Sequence, residues 1–501
     1  MDIEGISKCD KYSYTQVGTA QRAHDLFKDE IRWCSDTDNW YVFDKITNLW
    51  MLVDVSRIYH YIINIADRIK ADSKILVKTN EDGENDYTAQ NKALKYVGSI
   101  QMLSHVKGAI EFLKDSVSCK QSDFDAVPKF AGLADGTVLD LLTGKITEGK
   151  AEYMLTKSLA GIVKDTVSDE FTAYINAFLP DPDVRSYVQK YCGSALLGHT
   201  LRNSDDKRIL MVDSVSGTGK STFLSCLHLA LGSYYHSAPI QLLTMETKDV
   251  NRPNPVLADL QGVRIAGISE IAANTTFSGD NFKRLSGNDV VIARRPYDKK
   301  AYYYTPDFRI LVMSNDLPRP DDTDDIAFRI RFRRIRLEQP LEHKDGSILT
   351  KMTTQEWKDD AVTWLYQGCA AYLAQNGVLD DFNGKDIDNC NLPKAMVSAL
   401  RLYYSDNDDM GDFIWSHYKL DADGIIPYKA MHDDYVKYTG DKRSTLNAFC
   451  RGIKKSFKRF GIMEVRKYCT VEDEDGKTSV QRLKCAKGLS RLTATDEIKG
   501  A

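Results

Sequence analysis

The sequence predicts an α/β core, preceded by a mainly helical segment with small hairpins and followed by a small domain of helices and strands. Three observations carry this. Short apolar runs over 208–212, 262–270 and 309–315 read as buried strands, each ending in polar residues. The first runs into a glycine turn that opens a helix over 221–231. On both sides of this core, apolar residues recur at helical spacing over long stretches.

Taken in order, Ala23, Leu26, Phe27 and Ile31 predict a helix over 21–33, and 40–51 predicts two aromatic strands about a turn. Trp40 and Trp50, set among alternating apolar residues, read as core rather than as stacking platforms. Amphipathic helices follow over 55–70 and 89–117, a turn-rich hairpin over 132–144, and two helices over 171–197. Beyond the core, 354–374 predicts a helix with a capping box over 354–357 and an apolar face of Trp364, Leu365, Cys369 and Tyr372, read as a tether. From Gly411 the order helix, strand, helix, helix, strand, strand predicts a winged helix-turn-helix. Its third helix has a core stripe of Leu446, Phe449, Cys450, Ile453, Phe457 and Phe460. The expected domains are 1–190, 191–345, 346–410 and 411–501.

The 501 residues, 43% hydrophobic, suffice for two to four domains. No run approaches the ~18 apolar residues of a membrane span, and the first residues lack a signal-peptide pattern, so a cytoplasmic protein with no membrane partner is expected. Ten scattered cysteines form no CxxC pair, which excludes a zinc knuckle or a disulfide framework. A formal charge of −4 excludes a wholly basic nucleic-acid coat but leaves room for a local basic lining.

The chemistry concentrates in Val215, Ser216, Gly217, Thr218, Gly219, Lys220, Ser221 and Thr222. Strand, glycine turn and Lys-Ser at a helix start form a phosphate-loop pattern: backbone N–H groups around a phosphate, Lys220 on the β and γ oxygens, and the Ser221 hydroxyl on Mg²⁺. Ser214 stands where the pattern has its first glycine, a cost if its φ is positive. Glu270 ends the next long strand, where a carboxylate lies beside a metal and an attacking water. Asn315 ends the strand after that and either orients a water or caps the turn at Leu317-Pro318. Lys299 and Lys300 tip a hairpin, and Arg451, Lys454, Lys455 and Lys458 line the last helix; both groups are either phosphate contacts or solvated faces.

Together these residues resemble the ATPase core of superfamily 3 (AAA+) helicases, especially the helicase half of phage, plasmid and poxvirus-type primase-helicases. The phosphate loop is followed by 265–270, similar to the family's second motif. Leu285, Gly287, Asp289, Ala293, Arg294 and Tyr297 resemble "LxGGDxxxARxxY", and 311–318 resembles the sensor strand. Asp325, Ala327 and Arg331 match "DxAxxxR", while 135–144 resembles the "NGVLDLxTG" element of the preceding domain. Ser286 departs from the usual Gly, and Ser269 from a second acid seen in several relatives. The resemblance implies ATP and Mg²⁺ as cofactors, catalytic Lys220, Glu270, Asn315 and Arg331, and Ser221 with Glu270 at the metal. Arg331 is the implied finger, with Arg329 and Arg333 as competitors.

It further implies a homo-oligomer, a hexameric ring, moving 3′ to 5′ on single-stranded and forked DNA in the replication of a virus, phage or mobile element. A separate primase or polymerase is the expected companion, since no primase signature is visible. The competing functions are an origin-binding initiator, an RNA helicase of the same superfamily and a small-molecule P-loop kinase.

Overall fold

The computed structural model describes residues 11–492 apart from 82, 199–200, 204–205, 245–254, 273–274, 288, 295–300, 323–324, 342–344, 407–408, 441–443 and 473–477. Thr15 caps the first helix by accepting from the Gly18 N–H, and α1 (Gln16–Phe27) ends at Lys28. The helix expected over 21–33 therefore stops short. Ile31 is buried as expected, but as the first residue of β1 (Ile31–Cys34). That strand pairs antiparallel with β2 (Asn39–Asp44), which pairs in turn with β3 (Leu49–Val53). One apolar residue in helical phase extended the pattern past its true end. Trp40 and Trp50 are buried in this region. α2 (Val55–Asp72), α3 (Thr88–Ile100) and α4 (Leu103–Ser116) contribute Ile58, Ile62, Val97 and Ile110 to one core shared with α1. The later hairpin is β4 (Phe130–Gly132) with β5 (Thr137–Asp140), extended by β6 (Ile146–Glu148).

α5 (Asp169–Phe178) and α6 (Pro182–Ser194) pack into the central core, so the boundary expected at residue 190 cuts through one packed unit. Phe171 and Phe178 are buried, and the Tyr191 hydroxyl donates to the Ile310 carbonyl at 2.6 Å, fastening α6 to the sheet. The chain then runs through β7 (Ile209–Ser214), α7 (Lys220–Leu231), β8 (Tyr235–Ser237), β9 (Ile265–Ser269) and α8 (Gly279–Ser286). Next come the antiparallel pair β10 (Val291–Ala293) and β11 (Tyr302–Tyr304), then β12 (Arg309–Ser314), α9 (Ile326–Arg331) and β13 (Phe332–Leu337). Strands β8, β9, β12, β7 and β13 lie side by side in that order, every neighbouring pair parallel. Their carboxyl ends share one edge, where an open α/β sheet places its ligand crevice.

The basic and apolar alternation over 327–337 resolves into a short helix and a strand whose arginines are buried. Arg334 makes a two-pronged ion pair with Asp213, at 2.7 and 2.8 Å. Arg333 is wholly buried against Asp380, with Nε 2.9 Å from Oδ2, and the same carboxylate accepts from Arg208 and from the Tyr187 hydroxyl. Burial alone would raise the Asp380 pKa, but Arg333 and Arg208 outweigh it and hold the carboxyl far below its ordinary value. Its contribution to stability is therefore present above the ordinary carboxylate range and is lost only as pH falls through the depressed folded value. Asp380→Ala should cost about 3–5 kcal/mol, because it strands two buried cations. A urea-unfolding shift equivalent to less than about 1 kcal/mol would show that the arginines find other partners.

The segment expected to be a tether is no tether. α10 (Gln355–Ala374) buries Trp364, Leu365, Cys369 and Tyr372 in the central core. Its polar Asp359 and Asp360 are also buried, accepting from the Ile162 and Ser168 N–H groups. Thr354 caps it by a single bond from the Trp357 N–H, in place of a box, since Glu356 sits one position too early to return it. α11 (Lys394–Asp406) covers β13, receiving a bond from Arg334 at the Ala399 carbonyl.

The last unit comprises α12 (Asp409–His417), β14 (Tyr418–Pro427), α13 (Tyr428–Thr439), α14 (Leu446–Phe460), β15 (Met463–Glu472) and β16 (Thr478–Arg491). Its sheet order is β14, β16, β15, all antiparallel. Phe449, Ile453 and Phe457 face its core, Cys450 is half-buried, and Leu446, at the first turn of α14, is exposed against expectation. No helix among the described residues is long and apolar enough to cross a membrane.

Candidate functional site

The loop after β7 takes its shape from two glycines. Gly217 has φ +85° and Gly219 φ +91°, left-handed values that residues with a Cβ rarely adopt. A side chain at Gly219 would also meet Leu341 and Phe178, at 3.2 and 3.4 Å. Ser214 escapes the cost foreseen for it: it is the last residue of β7, and its φ is not positive. Its hydroxyl instead meets Thr218 Oγ1 at 2.6 Å and accepts from Lys220 Nζ, bracing the loop from within.

Lys220 begins α7 with its ammonium buried. Nζ donates to Asn315 Oδ1 at 2.8 Å and to the Val215 carbonyl at 3.4 Å. Burial lowers its pKa, and Asp213 opposes that only in part. The Asp213 carboxylate is already committed to Arg334. Lys220 and the amino end of α7 thus leave positive potential facing the loop, which suits an anion.

Glu270 follows β9 directly, is exposed, and has φ +58°, an unusual backbone state for a residue other than glycine, asparagine or aspartate. Register fixes its height on the sheet. Ser269 pairs with Met313 and Asp213 with Ser314, so Glu270 lies level with the end of β7, two strands away, or about 10 Å. The buried Ser314 hydroxyl accepts from the Ile271 and Asp316 N–H groups, each at 3.2 Å, and so ties the exits of β9 and β12 together. The turn after β12 is therefore capped by Ser314, which leaves Asn315 free to reach Lys220. Ser314 was visible only as a polar strand end; its joining role depends on strand adjacency.

Two cavities flank the loop. One of about 510 Å³ is walled by Tyr174, Phe178, Leu341, Ile348 and Leu349 beside Gly217, Gly219 and Thr222. The other, of about 550 Å³, reaches Thr218 from the side of β13 and α11. Leu341 and Phe178 line both, and the Leu341 N–H donates to the Gly217 carbonyl at 3.1 Å. The apolar first cavity is the size of a small-molecule site and opens on the glycines. Its residues come from three separated segments, so no motif announced them.

Val215, Ser216 and Ser221 are exposed, Gly217 and Thr222 half-buried, and Thr218 buried, all at the carboxyl edge. Arg331 lies elsewhere. It ends α9, immediately before Phe332, which pairs with Ile209 at the opposite end of β7. Six strand residues, about 20 Å, separate it from the loop on its own chain, further than any arginine side chain extends. Its Nε donates to Ser286 Oγ at 2.9 Å and Nη1 to the Ala327 carbonyl at 2.8 Å. Of its competitors, Arg333 is sealed against Asp380, and Arg329 lies over the Tyr404 ring at 4.3 Å.

Lys299, Lys300 and Tyr297 fall outside the described residues, although β10 and β11 form the antiparallel strands expected beside them. On α14, Arg451 is exposed, whereas Lys454 is paired with Glu464 of β15 rather than freely displayed. The side chains of Lys455 and Lys458 lie outside the described set. Among the described residues no group of three or more His, Cys, Asp or Glu side chains could hold a metal by itself.

Residues 20–177 match the D5 N terminal like family. Residues 212–334 match a family of unknown function, spanning β7 to β13 almost end to end. The chain is 25% identical over 317 residues to "Putative helicase L207/L206" of Acanthamoeba polyphaga mimivirus, covering 59% of this chain and 32% of that protein. It is 21% identical over 423 residues to "Putative helicase V13" of Sputnik virophage, covering 77% and 50%. The chain thus spans about a third and a half of the lengths of these viral relatives. Among solved structures, the apo C-terminal region of NrS-1 aligns with TM-score 0.49 at 11% identity, covering 94% of this chain and 99% of that one. A second apo form gives 0.47 at 12% identity, covering 92% and 97%.

Proposed function

We propose that this chain is an ATP-hydrolysing helicase of the superfamily 3 (AAA+) type, acting as a ring on single-stranded and forked DNA during replication of a virus, phage or mobile element. One observation carries the reading: a buried, under-compensated Lys220 at a helix start, directly after two left-handed glycines at 217 and 219, with Asn315 bonded to it and Glu270 level with the end of β7 on the same sheet edge. The names of the viral relatives and the D5-type segment supply the replication context.

In this reading the loop N–H groups and Lys220 hold the triphosphate, and the 510 Å³ apolar cavity takes the nucleoside. The exposed Ser221 hydroxyl and the Glu270 carboxylate suit Mg²⁺, a hard cation that takes one or two carboxylates and completes its shell with phosphate oxygens and water. When bound, the ion neutralises charge between the β and γ phosphates. Glu270 orients and deprotonates the attacking water, and Asn315 keeps Lys220 aimed at the loop. Arg331, too far from its own loop, reaches the γ-phosphate of a neighbouring copy, so hydrolysis depends on assembly. The C-terminal unit acts as a winged helix. With Lys454 already paired, its DNA contacts fall to Arg451, Lys455 and Lys458.

The deciding experiment is phosphate release from ATP with and without single-stranded DNA, together with unwinding of a forked duplex. Hydrolysis raised several-fold by single-stranded DNA, with ATP-dependent strand separation, is the expected result. DNA-independent hydrolysis without unwinding would reject it, and stimulation by RNA alone would select the RNA helicase.

A further inference from the structure

Ser286 ends α8 at a point where one hydroxyl does two things. It donates its only proton to the Phe282 carbonyl, the usual back-bond of a helical serine, which leaves its lone pairs to accept from Arg331 Nε at 2.9 Å. The hydroxyl therefore has a fixed sense, as acceptor towards the guanidinium. Arg331 Nη1 is held by the Ala327 carbonyl. Both flanks of the guanidinium are thus engaged, and among the described residues Nη2 has no partner. A guanidinium has five N–H donors, so a free edge remains for an anion.

We propose that Ser286 is a positioning residue for Arg331, fixing the guanidinium so that its Nη2 edge is presented to a phosphate bound by a neighbouring copy. This rests on the reading of Arg331 given above. The contact is one of orientation rather than of folding, because α8 and α9 are joined independently of it. Phe282 and Phe328 pack with ring centroids 4.9 Å apart, and Lys283 pairs with Asp325 at 3.0 Å. Removing the hydroxyl leaves that frame intact while freeing an arginine with four rotatable side-chain bonds. Alanine deletes the acceptor, whereas threonine keeps it.

The test is steady-state hydrolysis of ATP by the full chain, comparing wild type, Ser286→Ala, Ser286→Thr, Arg331→Ala and the Ser286→Ala, Arg331→Ala double variant. Ser286→Ala should lower kcat about tenfold with KM unchanged, the scale of one lost bond to a charged group. Ser286→Thr should recover most of that loss, and the double variant should be no slower than Arg331→Ala alone, since both changes act through one group. A wild-type kcat for Ser286→Ala beside an impaired Arg331→Ala overturns this inference and leaves the role of Arg331 standing. So does a further, multiplicative loss in the double variant, or a loss confined to KM. A wild-type kcat for Arg331→Ala overturns the finger itself, and the role of Ser286 with it.

Discussion

Lys220→Ala should abolish ATP hydrolysis, lowering kcat by at least about a thousandfold, while the protein should unfold close to the wild-type temperature. The two halves of this expectation have separate causes. Hydrolysis should fail because among the described residues no carboxylate is paired with Lys220: Asp213 is committed to Arg334, and Asn315 is neutral. Charge developing on the transferred phosphoryl oxygens loses its main fixed counter-charge from the protein, in a site where such terms are the largest contribution. Stability changes little because the ammonium is a buried cation whose own desolvation lowers its pKa. Its removal forfeits bonds to Ser214, Asn315 and Val215 but relieves that cost, a net effect within about 1 kcal/mol. Phosphate release and a thermal melt on the same preparation check both halves. Turnover within tenfold of wild type in a folded variant would sink the phosphate-loop reading; if alanine collapses the loop, Lys220→Met retains the stem and repeats the test.

The parts of this site that were legible in the sequence are those whose chemistry is local. An apolar run, glycines two apart and Lys-Ser at a helix start can be read in one window, and β7, the turn and α7 follow that reading within a residue or two. Glu270 and Asn315 were legible as strand ends for the same reason. What escaped depended on partners far away in the chain. The basic run over 327–337 gives no sign of its partners: Arg333 and Arg334 are buried against Asp380 and Asp213, 47 and 121 residues away in the chain. The helix after Thr354 reads as a tether from its own window, yet its Asp359 and Asp360 serve backbone donors near residues 162–168, almost 200 residues away in the chain. The left-handed backbone of Glu270 left no composition signal at all. The peptide that follows it donates to the Ser314 hydroxyl, across two strands neighbouring in the sheet but not in sequence.

Arg331→Ala should preserve nucleotide binding and lower hydrolysis by about 10³-fold or more, the usual scale for an arginine finger. Binding survives because Arg331 stands at the amino end of β13, while the loop and the 510 Å³ cavity lie at the carboxyl edge of the same sheet. The stronger consequence comes from mixing this variant with Lys220→Ala, each inactive alone. In a head-to-tail assembly every composite site takes its loop from one copy and its arginine from the next. A site is competent only when an Arg331→Ala copy supplies Lys220 and a Lys220→Ala copy supplies Arg331. With random assembly at equal amounts about one quarter of the sites meet that condition, whatever the number of copies in the ring. Recovery should therefore peak near equal mixing, at up to about a quarter of wild-type turnover, and vanish when the proteins are kept from exchanging subunits. An arginine acting on its own chain's loop gives no recovery at any ratio, because no copy then carries both groups.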